Sequence, residues 1–524
     1  MVLPVLINIS GSGIFFVCKY LIKLCSFISF LLFSINVYSI DLDSAINYSL
    51  LNNKNIKISS LQIDDALGSL RSEKGIYDIN LNVSYEYEDM KNPSTSAFAS
   101  NDKINETITT YTFGLDGYLP TGTSYFINPF TLRKTESDLG TNAMSPSWES
   151  FFQVGLSQNI FKDFGSEVNN SVIIVSKNNS KITKLEFEKI ISSTILDVKK
   201  KFYLALLAKK NIELASSSLF LAKDLVQKNS YEVESGTLPK ISLLQAKAAV
   251  AFRQVELIKA ENEYDLALDK LKISMSMPLD EEINIEGSID KNDFNILDLS
   301  EVSIIAFNNR PEVRQKKIKI KSSKQMIKYY KNQLLPDFNL EASLGYAGLG
   351  GSKNSKYSSA ILGPPQIDSK YDSGLRDSID NLKSQDNLSW KIGASINIPL
   401  GNDKAKGKLK SAKSKMQMDV IKLEQLLDQV SLEARSSWRD VITNMKNIEA
   451  AKIGLDLQKE ILSNEQERFE IGLSKTVDVL EAQNDLIEAE LNYNKSLAEY
   501  NISVNQHKFS LGTLLENKKI ILNN

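Results

Sequence analysis

The chain has 524 residues with a balanced charge, 62 Lys and Arg against 64 Asp and Glu, and a formal net charge of −2. This balance excludes the basic footprint of a nucleic-acid-binding protein. The only cysteines are Cys18 and Cys25, and His507 is the single histidine. We therefore predict no disulfide, no metal or cofactor site, no catalytic cluster and no enzymatic activity.

Residues 1–39 have the pattern of a secretory signal peptide. Lys19 and Lys23 precede an apolar run at 24–37, which is shorter than the roughly 20 residues of a membrane-spanning helix. Val37 and Ser39 place small residues three and one positions before a cleavage site after Ser39. An uncleaved anchor and a start codon assigned too early are the alternatives, and the protein leaves the cytoplasm in every case.

Segments in which apolar and polar residues alternate, strictly except for a lapse at Gln158, predict β-strands in both halves of the chain. They are 79–88 and 152–160 in the first half, and 338–346 and 390–398 in the second. Strands of about 9–11 residues with one apolar face fit a transmembrane barrel. A sandwich strand with one solvated face has the same alternation. Aromatic residues at strand ends, including Trp148 and Trp390, favour the membrane interpretation.

Segments rich in Gly, Ser, Asn and Asp at 89–106 and 347–387 are predicted to be loops on the outer surface of such a barrel. The first half also contains two further candidate strands, 110–119 and 123–132, around a turn at 119–123. The second half has no counterpart of this hairpin. Two placements remain open, because the hairpin either widens the barrel or lies beside it.

The distribution of glycine and proline predicts two long helical hairpins. Neither residue occurs in 166–235, 240–277 or 473–511, and 408–471 contains only Gly454. Gly236 and Pro239 interrupt the first hairpin, and Gly472 interrupts the second. Each half therefore reads as a long helix, a tight turn and a return helix. Helices of this length bury an apolar stripe only by packing as coiled coils.

The two hairpins align without a gap at a constant offset of 236 residues. Glu234, Gly236 and Ala246 correspond to Glu470, Gly472 and Ala482. An internal repeat of this length describes a duplicated architecture. We divide the chain into the signal peptide (1–39), a first repeat (40–288), a second repeat (289–515) and a C-terminal tail (516–524).

Several motifs resemble the outer-membrane efflux protein family, the TolC-like exit ducts. Arg468-Phe-Glu-Ile-Gly-Leu473, followed by Asp478-Val-Leu-Glu-Ala-Gln483, is similar to the family's tip motif. Asn309-Arg-Pro-Glu-Val313 resembles its helix opening, and Leu335-Pro-Asp-Phe-Asn-Leu340 its entry into a strand. Asn159 departs from the family, which commonly has proline there. The resemblance covers about residues 41–515.

The resemblance implies a mixed, mostly α-helical membrane protein that works as a homotrimer. Each chain would give four strands to a twelve-stranded β-barrel in the outer membrane, continuous with an α-helical barrel of coiled-coil hairpins in the periplasm. The implied partners are outer-membrane lipid, a periplasmic adaptor (a membrane fusion protein) and an inner-membrane pump, and no nucleic acid. The implied function is the exit duct of a tripartite efflux or type I secretion system.

The resemblance also assigns roles at the hairpin tips. Asp478 and Glu481 match positions where carboxylates from three chains ring the periplasmic entrance as a gate. Acidic residues also stabilise the first turn of any helix, which is the alternative explanation. The first repeat has Ser242 and Gln245 at these positions, so only the second hairpin would carry the gate.

Two tip segments match the surfaces to which adaptors bind. They are Gly236, Thr237 and Leu238 in the first hairpin, and Gly472, Leu473 and Ser474 in the second. A reversal between helices also needs glycine for its backbone conformation, so both roles are compatible. Phe469 corresponds to an aromatic that locks the closed state, or it is an ordinary packing residue. Two other classes remain open, a coiled-coil envelope-spanning protein without channel activity and an outer-membrane adhesin or enzyme.

Overall fold

The structure is a computed structural model that describes residues 38–99, 102–295 and 297–515. Residues 1–37 of the predicted signal peptide and the predicted tail at 516–524 lie outside the described residues. The described residues form two compact units. We call them the helical unit, within 1–58, 189–310 and 430–524, and the strand unit, within 59–188 and 311–429. Each unit combines segments of both repeats.

The strands are β1 (Tyr38–Ile40), β2 (Asn80–Pro93), β3 (Lys103–Tyr118), β4 (Thr123–Ser137), β5 (Met144–Asn159), β6 (Ile283–Ile285), β7 (Asp337–Lys353) and β8 (Leu388–Asn397). The helices are α1 (Leu42–Asn52), α2 (Lys54–Lys74), α3 (Ser166–Asn169), α4 (Ser171–Glu234), α5 (Lys240–Met275), α6 (Leu299–Asn309), α7 (Pro311–Asn332), α8 (Ser359–Leu362), α9 (Leu375–Ser384), α10 (Asp403–Glu470) and α11 (Thr476–Leu511). β1 and β6 form a small parallel pair in the helical unit. The predicted cleavage after Ser39 falls within β1 and stays a prediction.

The long helical hairpins occur where the absence of glycine and proline predicts them. α4 and α5 form the first, and α10 and α11 form the second. Both repeats also begin with an aspartate that caps a helix: Asp41 accepts from the backbone N–H of Ser44 at 2.9 Å, and Asp298 from that of Ser300 at 3.3 Å. None of the helices in the described residues is long and apolar enough to cross a membrane.

The helical unit contains two equivalent joints, one from each repeat. In the first, the Asn53 side-chain amide, between α1 and α2, donates to the backbone oxygen of Ser274 at 2.9 Å. In the second, the Arg310 guanidinium, between α6 and α7, donates to the backbone oxygen of Ser510 at 3.3 Å and to the Glu433 carboxylate at 2.9 Å. Each joint satisfies carbonyl groups that the end of a return helix leaves free.

The segment that joins the repeats is held by buried side chains of α11. The Asn501 side chain donates to the Asp290 backbone oxygen at 2.8 Å and accepts from the Asn292 backbone N–H at 3.2 Å. The Tyr500 hydroxyl donates to the Asn292 backbone oxygen at 2.9 Å. Tyr500 also belongs to the core cluster between α10 and α11, with Val441, Ile448, Leu497 and Val504.

The strand unit contains one antiparallel sheet of six strands in the order β2-β3-β4-β5-β7-β8. The four strands implied per chain are therefore too few. The hairpin at 110–132, whose placement the sequence left open, forms β3 and β4 and lies in the sheet between β2 and β5. The prediction of loops at 89–106 and 347–387 was also too broad, because ladder pairing extends β2 to Pro93 and β7 to Lys353.

Cross-strand register separates an apolar from a polar face. One row of directly opposed residues crosses all six strands and is entirely apolar: Leu81, Leu115, Ile127, Val154, Leu344 and Trp390. The next row belongs to the other face and is mostly polar or small: Asn80, Asp116, Phe126, Gly155, Ser343 and Lys391. We call these the apolar face and the polar face. Large exposed side chains, including Val83 at 71% and Ile392 at 74%, lie on the apolar face.

The hairpin of β3 and β4 has no counterpart among the described residues of the second repeat, and we call it the inserted hairpin. It contains two register shifts. One falls between Phe113 and Leu115 on β3, and the other between Asn128 and Thr131 on β4. Pro129 lies in the second and has no N–H to donate to the ladder, so a bulge accommodates it. The apolar row through Leu115 and Ile127 lies on one side of both shifts, so its register with the neighbouring strands is unaffected by them.

The single histidine is fully buried in the helical unit. Nδ1 of His507 lies 2.9 Å from the Ser437 hydroxyl, and its ring meets the edge of Phe294 at a centroid distance of 5.5 Å. Burial disfavours the imidazolium and lowers the pKa of His507 to about 4.

This pKa predicts acid sensitivity. In the unfolded chain the histidine pKa is about 6.5, so the folded state binds fewer protons below that pH. The contribution of the neutral His507 side chain to the free energy of unfolding is fully present above pH 6.5. It falls by up to about 3 kcal/mol as the pH decreases from 6.5 through 4. We expect His507→Asn to lose less thermal stability than the wild type between pH 7.5 and pH 4.5, measured as Tm in detergent. An equal loss in both proteins would contradict this assignment.

Candidate functional site: the hairpin tips

The tips of the two hairpins have the same backbone. Gly236 has φ +80° and Gly472 has φ +76°, in the left-handed region that other residues rarely adopt. No atom lies within 4 Å of where a Cβ would stand at either position, so conformation rather than crowding requires glycine. At each tip the residue after glycine, Thr237 or Leu473, donates its N–H to a carbonyl five residues earlier, at 2.9 Å and 2.8 Å. This bond closes the helix end.

The side chains of the two tips differ. At the second tip Ile471 and Leu473 are 70% and 69% exposed. Their counterparts at the offset of 236 are Ser235 and Thr237, which hydrogen-bond each other at 3.0 Å. Of the two tip glycines, Gly472 is therefore the one that is flanked by exposed apolar side chains. Sequence reasoning named Leu473 but missed Ile471, although its place beside the glycine was a usable signal.

Asp478 lies in the first turn of α11 and is exposed. Its Oδ2 accepts from the backbone N–H of Lys475 at 3.0 Å and from the Ser474 hydroxyl at 3.3 Å. The carboxylate thus reaches back to the residue that precedes the helix, as in a capping box, and it complements the positive helix end. Glu481 is also exposed and lies one turn further along the same face.

A second acidic residue supports this turn. The Ser474 hydroxyl shares its one proton between Asp478 and the carboxylate of Glu465, which forms an ion pair with Arg468 at 3.1 Å. The turn at Gly472 is therefore held by side chains on both of its flanking helices. Phe469 is half-buried at the end of α10, and its predicted role as a closed-state lock stays a prediction.

Two buried polar contacts join the first hairpin to α11. The Asn229 amide donates to the Thr476 hydroxyl at 3.2 Å, and both residues are almost fully buried. Arg253, also buried, donates to the Asn484 side-chain oxygen and forms an ion pair with Glu256 at 2.8 Å. Sequence reasoning missed these residues because helical periodicity does not reveal which distant helices become neighbours. Within residues 38–99, 102–295 and 297–515, no group of His, Cys, Asp and Glu is arranged to hold a metal ion.

Comparison with known proteins agrees with this architecture. Residues 304–513 match the outer membrane efflux protein family. The CmeC outer membrane channel of Campylobacter jejuni is similar at a TM-score of 0.63 and 16% identity, over 90% of this chain and 86% of that chain. The outer membrane protein VceC of Vibrio cholerae has a TM-score of 0.61 and 16% identity, over 90% of this chain and 96% of that chain. The open-state MtrE outer membrane channel of Neisseria gonorrhoeae has a TM-score of 0.61 and 15% identity, over 90% of this chain and 89% of that chain. None of the curated proteins matches the sequence.

The chain therefore has the fold of these outer-membrane channels, with strands and long helical hairpins, as predicted. The family match lies within the second repeat.

The hydrogen bond to Lys475 separates the two roles of Asp478. Asp478→Asn should keep an acceptor for the backbone N–H and lose the charge, whereas Asp478→Ala should lose both. We expect amide hydrogen exchange at 475–478 to rise in the alanine variant much more than in the asparagine variant, because loss of a cap costs about 1 kcal/mol. Equal exchange in the two variants would show that the hydrogen bond does not hold this turn.

Proposed function

We propose that the protein is the outer-membrane exit duct of a tripartite efflux or type I secretion system. The observation that carries this proposal is the apolar row across all six strands of one sheet, in a chain whose second repeat contains the match to the outer membrane efflux protein family. The exposed apolar face suits outer-membrane lipid, and the polar face suits a water-filled lumen. The long hairpins belong in the periplasm in this assignment, and no step requires an active site.

The working assembly in this proposal is a homotrimer that meets a periplasmic adaptor and, through it, an inner-membrane pump. The adaptor binds the tips at 236–238 and 472–474. Ile471 and Leu473 supply exposed apolar area for that contact, since neighbouring apolar side chains at a surface commonly mark a protein interface.

The gate in this proposal is formed by Asp478 and Glu481 from three chains. Six carboxylates around one entrance attract cations and repel anions, because a narrow opening focuses their field. The bond from Lys475 fixes the orientation of the Asp478 carboxylate through Oδ2 while the side chain stays exposed, so capping and gating are compatible. The first repeat adds no charge, since Ser242 and Gln245 stand at the equivalent positions.

Opening in this proposal is an iris motion of the second hairpin, around residues 408–511. The contacts between Asn229 and Thr476 and between Arg253 and Asn484 join that hairpin to the first. Both are polar and few in number, so separating them exposes groups that water can solvate. Breaking these contacts moves α11 away from the first hairpin and separates the carboxylates.

The first experiment is single-channel conductance of the mature protein in a planar bilayer, with wild type beside Asp478→Ala/Glu481→Ala. We expect a small cation-preferring current in the wild type and a larger current with weaker preference in the variant. Asp485→Ala/Glu488→Ala is the matched control, because it removes an acidic pair of the same spacing two helical turns away, and its current should change little.

Each outcome separates the candidate functions. Conductance that the tip variant leaves unchanged would keep the duct and reject Asp478 and Glu481 as its gate. No current from a folded, trimeric protein would favour the envelope-spanning coiled-coil protein without channel activity. Adhesion to a surface or ligand without any current would favour the adhesin.

The iris motion has its own test in Asn229→Cys/Thr476→Cys. The side chains of the two residues are in hydrogen-bond contact, and the chain beyond residue 25 contains no cysteine. Oxidation should join the hairpins and lower export several-fold, and reduction should restore it. The single-cysteine variants are the controls. Unchanged export with the disulfide formed would exclude a separation of the hairpins at this level.

A further inference from the structure

Both edges of the six-stranded sheet are open. β2 and β8 each pair with a neighbouring strand on one side only. Their residues are exposed along almost their whole length. Unpaired backbone N–H and C=O groups are too costly in hydrocarbon for an open edge to persist there. A second strand must therefore cover each edge when the sheet lies in a membrane.

We propose that β2 of one copy pairs with β8 of the next, and that three copies close a barrel of eighteen strands. The inserted hairpin of β3 and β4 is then part of the wall, and it enlarges the twelve-stranded barrel that the family resemblance implies. This inference rests on the homotrimer proposed above.

Strand direction permits this closure. Neighbouring strands of the sheet are all antiparallel and their number is even, so β2 and β8 run in opposite directions. Copies arranged head to tail therefore continue the antiparallel order around a ring. A hairpin insertion adds two strands and keeps this order, whereas insertion of one strand would have broken it.

The faces restrict the register between copies. The apolar face contains the odd-numbered positions of β2, such as Tyr85, and the even-numbered positions of β8, such as Ile392. Only registers that oppose odd with even positions continue the apolar face around the ring. If Asn80, at the start of β2, lies opposite Asn397, at the end of β8, the requirement is met and Tyr85 meets Ile392.

Strand tilt narrows the choice further. Within one chain, Trp390 on β8 lies in the same row of opposed residues as Leu81 on β2. In the register above, Trp390 lies opposite Tyr87 of the next copy. A row followed once across the six strands of one chain therefore reaches the next copy six residues further along β2, and we call this distance the shift. A shift of six residues over six strands gives a tilt of about 35°, with about 3.3 Å per residue and about 4.8 Å between strands. Transmembrane barrels have tilts of roughly 35–45°. A shift of four residues gives a strand tilt of about 25°, which lies outside this range and is excluded. A shift of eight residues gives a tilt of about 43°, which lies within it.

Charge supports the same registers. Lys391 and Glu86 are both exposed on the polar face, and the register with a shift of six places them opposite each other. A shift of eight places Glu88 opposite Lys391 instead. In the part of the chain that the structure describes, none of these three side chains has an ion-pair partner. Opposite charges on directly opposed residues favour strand pairing.

Barrel diameter grows roughly linearly with strand number, so eighteen strands give a lumen about half as wide again as twelve. Barrels of 16–18 strands hold an open aqueous channel. The strand unit then sets no narrow limit on what passes, and the constriction lies elsewhere in the assembly.

Cysteine pairs test the contact between copies, because the chain beyond residue 25 contains no cysteine. In outer membranes, either Glu86→Cys/Lys391→Cys, for the shift of six, or Glu88→Cys/Lys391→Cys, for the shift of eight, should give disulfide-linked dimers and trimers on non-reducing gels. The matched control is Ser84→Cys/Lys391→Cys, which lies on the same face in the excluded register and should link at least fivefold less. Better linking by the control, or no linking by either pair, would overturn the proposed edge contact.

Strand number is tested by electron cryomicroscopy of the trimer, with eighteen strands expected at the level of the sheet. Twelve strands with the hairpin outside the wall would overturn the inference. Single-channel current from the same preparation separates this failure from failure of the proposed function. A conducting trimer with twelve strands keeps the duct, an eighteen-stranded trimer without current rejects the duct alone, and a protein that remains monomeric in membranes rejects both.

Discussion

Backbone hydrogen bonding at sheet edges is the constraint on which the assignment of this protein depends. The sheet has an apolar face whose side chains are exposed at both edges, at Leu81 and at Trp390, and half-buried at Leu115 and Val154 between them. Such a face suits hydrocarbon, and hydrocarbon forbids open edges. In the proposed function, lipid exposure and self-assembly therefore rest on the same observation, and neither interpretation of the sheet is complete without the other. A sandwich domain would instead have covered the apolar face with a second sheet.

Duplication explains most of the structure, and its exceptions are informative. The joints at Asn53 and Arg310 occupy corresponding places in the two repeats, and each binds the carbonyl of a corresponding serine at the end of a return helix. The inserted hairpin breaks this symmetry without disturbing either joint. It changes the sheet by two strands, which is the smallest change that keeps the antiparallel order for closure.

The sequence predicted those parts of the fold that depend on local pattern. Alternation located four strands and the candidate hairpin, and the absence of glycine and proline located the long helices. Pairing order could not be predicted, because the contact of β5 with β7 joins residues as distant as Val154 and Leu344. The extent of the strands was also underestimated, since polar residues such as Lys91 and Asn105 pair in the ladder although their composition is typical of loops.

At the hairpin tips, too, the sequence predicted what depends on local rules and missed what depends on contacts between distant segments. Gly236 and Gly472 were recognisable because a left-handed residue ending a helix requires glycine, which is a local rule. The buried pair of Asn229 and Thr476 was not recognisable, because it depends on how α4 packs against α11. Arg253 was missed as well, since a single arginine in a charged helix usually lies in solvent, and only its contact with Asn484 distinguishes it.

The two tips have the same backbone but different side chains. Their turn geometry is almost the same, so the reversal itself does not distinguish the hairpins. The side chains around it do, because the second tip has Ile471 and Leu473 where the first has Ser235 and Thr237. One turn later it has Asp478 where the first has Ser242. An aspartate there both completes the cap of α11 and adds a charge, whereas a serine adds none. The second tip therefore differs from the first by two exposed apolar side chains beside its glycine and by one carboxylate in the first turn of its return helix, and the proposed adaptor contact and gate depend on these differences.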